Sequence, residues 1–418
     1  MLKPRLQELC ICRPILEDTL IGKFLCFLEN PENTSHAYDF TAGLIEKAES
    51  LGLSGNILRS YFLHVLAHVE NTFACTVEQS SGNVGKSLRR AFVRDMEILA
   101  DVFHEPPSAM LPCDLLDDYE PTKRCTSEAS SFLHERMASA ASAEEVSDAF
   151  LDFYRRYGCG EISSCKAFSW NDKEHKLQGV EHFEALPLTD VIGYDRQKKQ
   201  LTDNTEAFLD GRPANNVLLI GARGTGKSSS VKALAHEYYG RGLRLVQLAK
   251  SQLGELPRIL AALRRFPSKR FILFLDDLSF EEFETEYKYL KSAIEGGVEA
   301  RPQNVLIYAT SNRRHLIKES WRDRDQAQDK LYRQDSVNET ISLSDRFGLI
   351  ITFLAPDQEQ YHAIIAHYLE KEGVRLAPEE LRILAHRWEL EHSGRSGRTA
   401  QQFVVHYLGQ MRKSSRRR

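Results

Sequence analysis

The sequence lacks any long hydrophobic run. No stretch of its 418 residues approaches the roughly 20 apolar residues that cross a bilayer as a helix. The first thirty residues alternate apolar segments with charged side chains such as Glu8, Arg13 and Lys23, so they lack the uninterrupted apolar region of a signal peptide. We therefore expect a cytoplasmic protein without membrane contact.

The sequence also lacks a strong charge of either sign. Its 55 Lys and Arg residues nearly balance its 59 Asp and Glu residues, which gives a net charge of −4 and a pI of about 6.4. This balance provides no global basic field for nucleic acid or an anionic membrane. With 42% hydrophobic residues, a chain of this length can bury more than one core, so we expect two or three domains.

Zinc-finger cysteine pairs are absent as well. None of the eight cysteines forms a C-x-x-C pair, and no His-x₃₋₅-His pair follows them at zinc-finger spacing. Buried free thiols are the favoured interpretation, and a metal or redox site is the alternative. All eight precede residue 166 and so mark the first 165 residues as a separate module: Cys10, Cys12, Cys26, Cys75, Cys113, Cys125, Cys159 and Cys165.

Residues 1–165 are predicted to form a mainly helical N-terminal domain. Apolar residues recur at three- and four-residue intervals over 42–48, 57–66, 88–100 and 127–157. Such stripes usually pack into a core and less often form a groove for a partner. We find no catalytic constellation in this domain, and we expect it to recruit or sense an unidentified protein partner.

The remainder of the chain predicts an α/β domain with a helical lid. Residues 166–187 are polar and without periodicity, which favours a linker. Within 188–355, five apolar runs alternate with helix-length segments and predict a five-stranded parallel sheet with helices on both faces. The pattern is helical over 356–411, and 412–418 is a basic tail. That tail is either a solvated end or a contact for nucleic acid or an acidic partner.

A phosphate-binding loop follows the first of these strands. Its glycines permit a tight turn in which backbone N–H groups and the start of the next helix surround phosphates. We expect Lys227 to reach the β- and γ-phosphates and Ser228 to bind Mg²⁺. The run therefore predicts a nucleoside triphosphate site made by Gly221, Ala222, Arg223, Gly224, Thr225, Gly226, Lys227, Ser228 and the adjoining Ser229.

Residues 271–277 have the form of a Walker B strand, in which an apolar run carries two carboxylates to the sheet edge. We expect Asp276 to hold Mg²⁺ and Asp277 to accept a proton from the attacking water. Asn312 ends the next strand, where its amide could orient that water or simply cap a helix. Arg346 precedes the fifth strand and could reach the γ-phosphate of a neighbouring subunit, with a structural salt bridge as the alternative.

Together these motifs resemble the AAA+ ATPases over residues 188–408. The resemblance makes Asn312 sensor 1 and Arg346 the arginine finger. It also identifies 394–399 as a sensor 2 motif, with Arg398 the first choice for the phosphate contact and Arg395 the second. Residues 190–194 resemble the segment beside adenine, which adds Ile192 and Gly193 to the site. Several motifs are similar to a little-studied bacterial AAA+ family described mainly as ATP-binding proteins of unknown function.

The resemblance implies an oligomeric ATPase that uses ATP and Mg²⁺ to move its lid and act on a macromolecular partner. One departure is that Asp277 stands where AAA+ enzymes usually carry Glu, so either Asp277 acts from a repositioned strand end, Glu281 contributes, or hydrolysis is slow. Slow hydrolysis would favour a switch or scaffold. A nucleic-acid-associated loader is a further alternative, based on the basic tail and on Arg313 and Arg314.

Overall fold

The computed structural model describes residues 4–125, 127–184, 186–280, 286–295, 301–312, 316, 343–392 and 394–415. Glu281, Arg313 and Arg314 lie outside these residues. The chain divides into two units. The first contains Met1–Cys165, Gly240–Gly242 and Arg264–Lys269, and the second contains Lys166–Tyr239, Leu243–Leu263 and Arg270–Arg418.

The described part of the first unit is built from helices. Its 127–157 segment, predicted as one helix, is two helices separated by extended residues, so the single helix was wrong. The physical reason is a cap: the Ser142 side chain accepts a hydrogen bond from the Glu145 N–H and begins a new helix there. The helices are α1 (Thr19–Glu29), α2 (Thr34–Leu51), α3 (Ile57–His68), α4 (Thr72–Gln79), α5 (Lys86–Ile98), α6 (Ala100–His104), α7 (Glu128–Ser139), α8 (Ala143–Arg156) and α9 (Glu161–Ser164).

The cysteines of this unit do not behave uniformly. All eight are described and lie outside any disulfide, and Cys12 and Cys159 are the two that are buried, whereas Cys10, Cys26 and Cys125 are exposed. The expectation of buried thiols was therefore wrong for most of them. Within the described residues, no group of three or more His, Cys, Asp or Glu side chains is placed to hold a metal ion.

The second unit contains a seven-stranded sheet among its described residues, with strand order β2-β1-β4-β5-β6-β3-β7. The five predicted strands are present and pair in parallel. The strands are β1 (Ala167–Asn171), β2 (Lys176–Gly179), β3 (Val217–Gly221), β4 (Leu243–Leu248), β5 (Arg270–Leu275), β6 (Val305–Ser311) and β7 (Leu349–Phe353).

Strands β1 and β2 occupy the segment predicted as a linker, so that prediction was wrong. Strand β1 pairs in parallel with β4, and β2 returns antiparallel to β1. Phe168 and Trp170 of β1 are buried, and the polar residues that follow them make the hairpin turn, where His175 has a positive φ of 47°. The polar residues of this turn made the whole segment resemble a linker, although β1 is stabilised by its pairing with β4 and β2 by its pairing with β1.

Helices complete the second unit: α10 (Asp195–Leu209), α11 (Lys227–Glu237), α12 (Leu256–Leu263), α13 (Tyr287–Glu295), α14 (Gln358–Lys371), α15 (Pro378–Glu391) and α16 (Gly397–Ser415). Buried residues of α10 and α11, including Leu201, Phe208 and Leu234, pack on the sheet. The last three helices form a lid with its own core around Tyr361, Ile365 and Phe403. Helix α16 continues into the segment predicted as a basic tail. In the described parts of the chain, no helix is both long and apolar enough to cross a bilayer.

Candidate functional site

The phosphate loop joins β3 to α11 at the carboxyl edge of the sheet, as the sequence predicted. Gly221 has a φ of 144°, and a Cβ there would overlap the carbonyl oxygen of Phe353 on β7. Gly224 and Gly226 have left-handed φ values of 71° and 89°. Only glycine adopts such conformations without strain, so these positions let the backbone turn tightly in front of the helix.

A cavity of about 570 Å³ opens in front of this loop and lies within the second unit. Its volume falls in the range of pockets that hold small ligands. Residues 223–229 line it, and the first N–H groups of α11, which have no partner within the helix, favour an anion there. A Cβ on Gly224 would approach Ser396 within 3.0 Å, so the loop surface that faces the lid has no room for a side chain. The donors of this loop fit a polyphosphate.

Lys227 is buried at the start of α11, with 6% of its surface exposed. Its Nζ donates to Gly221 O at 2.9 Å, to Ala222 O at 2.6 Å and to Asn312 Oδ1 at 3.1 Å. Burial lowers the pKa of Lys227, and the carboxylates of the two neighbouring aspartates oppose that effect. The carbonyl acceptors therefore hold a cation beside the cavity, where a phosphate could replace them.

Ser228 and Asp276 meet at the expected metal position. Ser228 Oγ donates to Asp276 Oδ1 at 2.5 Å, and Thr310 Oγ1 donates to the same oxygen at 2.6 Å. A hydroxyl and a carboxylate are oxygen ligands of the type that Mg²⁺ takes together with phosphates. The two predicted metal-binding side chains are thus adjacent and chemically suited to that ion, which would neutralise phosphate charge.

Asp277 follows β5 in an unusual conformation. Its φ is 53°, in the left-handed region, and its N–H donates to Thr310 Oγ1 at 2.9 Å. Asn312 Nδ2 donates to Asp277 Oδ1 at 2.5 Å while Asn312 Oδ1 accepts from Lys227. The described hydrogen bonds of Asn312 therefore connect the candidate proton acceptor to the phosphate-binding lysine, and both groups line the cavity.

Thr310 was not identified from the sequence. It makes hydrogen bonds with both aspartates and is 1% exposed. A signal was present, because Thr310 and Asn312 are two residues apart at the end of β6. Residues at that spacing lie on the same face of a strand.

The lid also lines the cavity. Arg398 lines the cavity, whereas Arg395 Nε pairs with Glu389 Oε1 at 2.9 Å. The N–H of Gly397 donates to Gly224 O at 2.7 Å, so the sensor 2 segment is hydrogen-bonded directly to the phosphate loop. This placement makes Arg398 the lid arginine that can face a phosphate.

Apolar side chains also line the cavity. Leu186, Val191, Ile192 and Ile364 line it together with Tyr368. Ile192 therefore lines the cavity, and its place beside the base stays a prediction.

Gly193 has a different position from that of Ile192. It has a φ of 76°, and a Cβ there would overlap the Gln360 amide of α14. Gly193 is not among the residues that line the cavity. The lack of a side chain at Gly193 therefore allows the chain to pack closely against the lid.

An ionic cluster connects the segment 190–194 to the lid. Asp190 is buried and accepts hydrogen bonds from Lys371 and, at 3.1 Å, from His367 Nε2. Burial alone would raise the pKa of Asp190, but these two partners outweigh it and lower the pKa below its usual range. Any movement of the lid must therefore pivot on or break this cluster.

Arg346 lies outside the residues that line the cavity. Its Nε pairs with Glu295 Oε1 of α13 at 2.5 Å. The salt-bridge alternative describes this contact, and the arginine-finger role of Arg346 stays a prediction. Glu295 is 46% exposed and Arg346 21%, so the pair lies at the surface.

Comparison with known proteins shows the family. Residues 163–411 match the model of a family described as "Protein of unknown function (DUF815)", and the chain belongs to that family. The predicted relationship to AAA+ P-loop proteins of uncharacterised function is confirmed. The α/β fold with a mostly parallel sheet is confirmed as well.

Parts of the chain are similar to named proteins. It is 32% identical over 110 residues to the replication factor C large subunit of Staphylothermus marinus, which is 25% of each chain. It is 26% identical over 102 residues to the corresponding subunit of Methanococcus maripaludis, which is 24% of this chain and 21% of the relative. The chain thus spans about a quarter of the length of these relatives.

Two solved structures are also similar. The RuvB Holliday junction branch migration motor of Thermotoga maritima has a TM-score of 0.36 and 19% identity, over 52% of this chain and 63% of RuvB. The FIGL-1 AAA domain in complex with ADP has a TM-score of 0.38 and 17% identity, over 53% of this chain and 72% of that domain.

Proposed function

We propose that the protein binds ATP with Mg²⁺ in the cavity of the second unit and hydrolyses it, and that the lid follows the nucleotide state. The observation that carries this proposal is the convergence of four chemically distinct groups on one cavity. These are a cation on the phosphate loop, a hydroxyl–carboxylate pair suited to Mg²⁺, a second carboxylate held by an amide, and a lid arginine: Lys227, Ser228 with Asp276, Asp277 with Asn312, and Arg398.

Each group has a role in this proposal. Lys227 exchanges its carbonyl acceptors for the β- and γ-phosphates, where its positive charge offsets theirs. Asp277 accepts the proton of the attacking water, and Asn312 orients that carboxylate and the water. Arg398 reaches the phosphates from the lid and offsets charge on the transferred group.

The lid is the element that can report the nucleotide state. It contacts the phosphate loop through the Gly397–Gly224 hydrogen bond, and its Lys371 contacts Asp190 in the segment 190–194. A nucleotide in the cavity would touch both lid and sheet, so binding and hydrolysis bias the lid position by differential contacts. We propose that this movement acts on a macromolecular partner engaged by the N-terminal helices.

We further propose that the active form is an oligomer with composite sites. Arg346 would leave Glu295 and offset the γ-phosphate charge of a neighbouring copy, a contribution of order 10³–10⁵ in rate when an arginine is supplied in trans. Arg346→Ala should keep ATP binding and lose most hydrolysis, and mixing it with Lys227→Ala should restore part of the activity. Glu295→Gln is the matched control, since it removes the salt bridge and keeps the arginine.

A slowly hydrolysing switch is the second candidate. The observation in its favour is the short carboxylate of Asp277, which the left-handed turn and the Asn312 amide hold in one position. A turnover number well below one per minute for the assembled parent, with tight ATP binding, would favour this candidate over a motor.

The deciding experiment compares Asp277→Asn with the parent. We expect the variant to bind ATP with parental affinity by calorimetry and to show almost no phosphate release, since an amide accepts a proton poorly. Lys227→Ala serves as the control that binds no ATP. Normal turnover by Asp277→Asn would refute the assignment of the proton acceptor. Proteins that copurify with Asp277→Asn in ATP and are absent from Lys227→Ala identify the partner.

A further inference from the structure

We infer that Thr310 is a positioning residue, whose single buried hydroxyl holds the carboxylate of Asp276 and the backbone of Asp277. This inference rests on the proposed function, because it concerns how the protein prepares the groups that would hold Mg²⁺ and activate water. Thr310 is at the end of β6, next to the end of β5 that carries Asp276 and Asp277.

The hydroxyl of Thr310 uses its hydrogen-bonding capacity in two directions. A hydroxyl has one donor and two acceptor positions. Its proton goes to Asp276 Oδ1 at 2.6 Å, and its oxygen accepts the Asp277 N–H at 2.9 Å. The donor is therefore committed to the carboxylate that also accepts from Ser228.

The backbone of Thr310 extends the same attachment by one residue. The N–H of Leu278 donates to Thr310 O at 2.7 Å. Three successive residues after β5 are thus tied to one buried threonine, which is 1% exposed and has little freedom to move. These hydrogen bonds to Thr310 continue the connection to β6 beyond the end of β5, where the regular pairing of the two strands has stopped.

Asp277 needs this support because of its backbone conformation. Its φ of 53° is sparsely populated for a residue with a side chain, and such a conformation persists when the surrounding structure holds it. Thr310 Oγ1 holds the N–H of Asp277, and Asn312 holds its carboxylate. Removing the hydroxyl removes the hydrogen bond to the Asp277 N–H and keeps the one between Asn312 and the Asp277 carboxylate.

The test replaces the hydroxyl and keeps the shape. Thr310→Val preserves the branched volume and has no donor or acceptor, whereas Thr310→Ser preserves the hydroxyl and loses a methyl group. We expect Thr310→Val to lower kcat by about 10- to 100-fold with little change in KM for ATP, because a displacement near 1 Å at the reacting groups costs about that factor. Thr310→Ser should retain most of the parental kcat.

A binding measurement separates positioning from catalysis. ATP affinity is measured by calorimetry with Mg²⁺ and with a chelator, and the ratio gives the gain due to Mg²⁺. We expect Thr310→Val to reduce this gain and leave the affinity without Mg²⁺ unchanged, since Asp276 loses the donor that fixes it beside Ser228. Thr310→Ser should keep the gain.

Several results would overturn the inference. Parental values of both kcat and the Mg²⁺ gain in Thr310→Val would show that the hydroxyl is dispensable, and equal losses in Thr310→Ser would assign the effect to the methyl group. If Thr310→Val does not fold by circular dichroism, Thr310→Ala replaces it in the same comparison. A parent that binds ATP but releases no phosphate would refute the hydrolytic function and leave the Mg²⁺ gain as the test of Thr310. A parent that binds no ATP overturns both.

Discussion

The hydrogen bond between the lid and the phosphate loop yields a prediction that can be worked out from the structure. Gly397 donates its N–H to Gly224 O at 2.7 Å, and a Cβ added to Gly397 would lie 2.9 Å from that same oxygen. This separation is shorter than van der Waals contact allows. Gly397→Ala must therefore push the lid from the phosphate loop by a few tenths of an ångström and weaken or break the hydrogen bond.

The magnitude follows from the bond that is lost. A hydrogen bond of this kind contributes about 0.5–1.5 kcal/mol net. If the lid helps to enclose the nucleotide, the Kd for ATP should rise by about 2- to 10-fold, since 1.4 kcal/mol corresponds to about tenfold in affinity. The added Cβ would meet Gly224 O within 4 Å and no side chain of the lid core around Tyr361, Ile365 and Phe403, so the melting temperature should change little.

Calorimetric titration of ATP into both proteins measures the effect, with a thermal melt as the check on folding. Gly409→Ala is the matched control, because Gly409 lies on the same helix and an added Cβ would meet nothing within 4 Å. This control should leave the Kd unchanged and stabilise the helix by about 0.5–1 kcal/mol. A parental Kd for Gly397→Ala, or the same loss in Gly409→Ala, would refute the role given to this contact.

Two other predictions concern charged or titratable groups. Lys227→Ala should abolish ATP binding in a calorimetric titration, because the loop loses its buried cation, whereas Lys232→Ala on the same helix should bind as the parent does. In the first unit, burial, then His68 and Lys47, lower the pKa of His64 to about 4. Between pH 6.5 and 4 the unfolded chain takes up a proton at His64 and the folded chain does not. The free energy of unfolding should therefore decrease by about 3 kcal/mol as the pH is lowered through this range. His64→Gln should reduce that decrease in denaturant titrations followed by circular dichroism.

The nucleotide site could be predicted where its signals are local in the sequence. The phosphate loop needs glycine at fixed spacings after a buried strand, and β5 is an apolar run that ends in two carboxylates. Both patterns depend on neighbouring residues and on the sheet edge that they share. The structure places these residues around one cavity, as the spacing indicated.

The elements that were missed depend on distant partners. Strand β1 is stable because it pairs with β4, about eighty residues later in the chain, and no local pattern carries that information. Arg346 pairs with Glu295 on α13, a helix that was not among those predicted from the sequence. The double hydrogen bonding of Thr310 requires β5 and β6 to be neighbours with a known register, which only the sheet order provides.

The conformation of Asp277 also gives a physical reason for the departure from glutamate, and it leads to a prediction about Asp277→Glu. Asp tolerates the left-handed region better than residues with longer side chains, because its short polar group can bond locally. In this structure the Asp277 carboxylate accepts a hydrogen bond from Asn312, which is 35 residues further along the chain. An added methylene would carry the carboxylate past this partner by about one bond length.

We therefore expect Asp277→Glu to lower kcat by about tenfold or more at saturating ATP and Mg²⁺, although it restores the residue that is usual in AAA+ enzymes. The Kd for ATP should stay parental, because the substitution does not touch the phosphate loop. Asp195→Glu on the exposed start of α10 is the control for the added methylene. A kcat at least tenfold above the parental value in Asp277→Glu would mean that the short carboxylate limits the rate, and that the left-handed turn accommodates glutamate without loss.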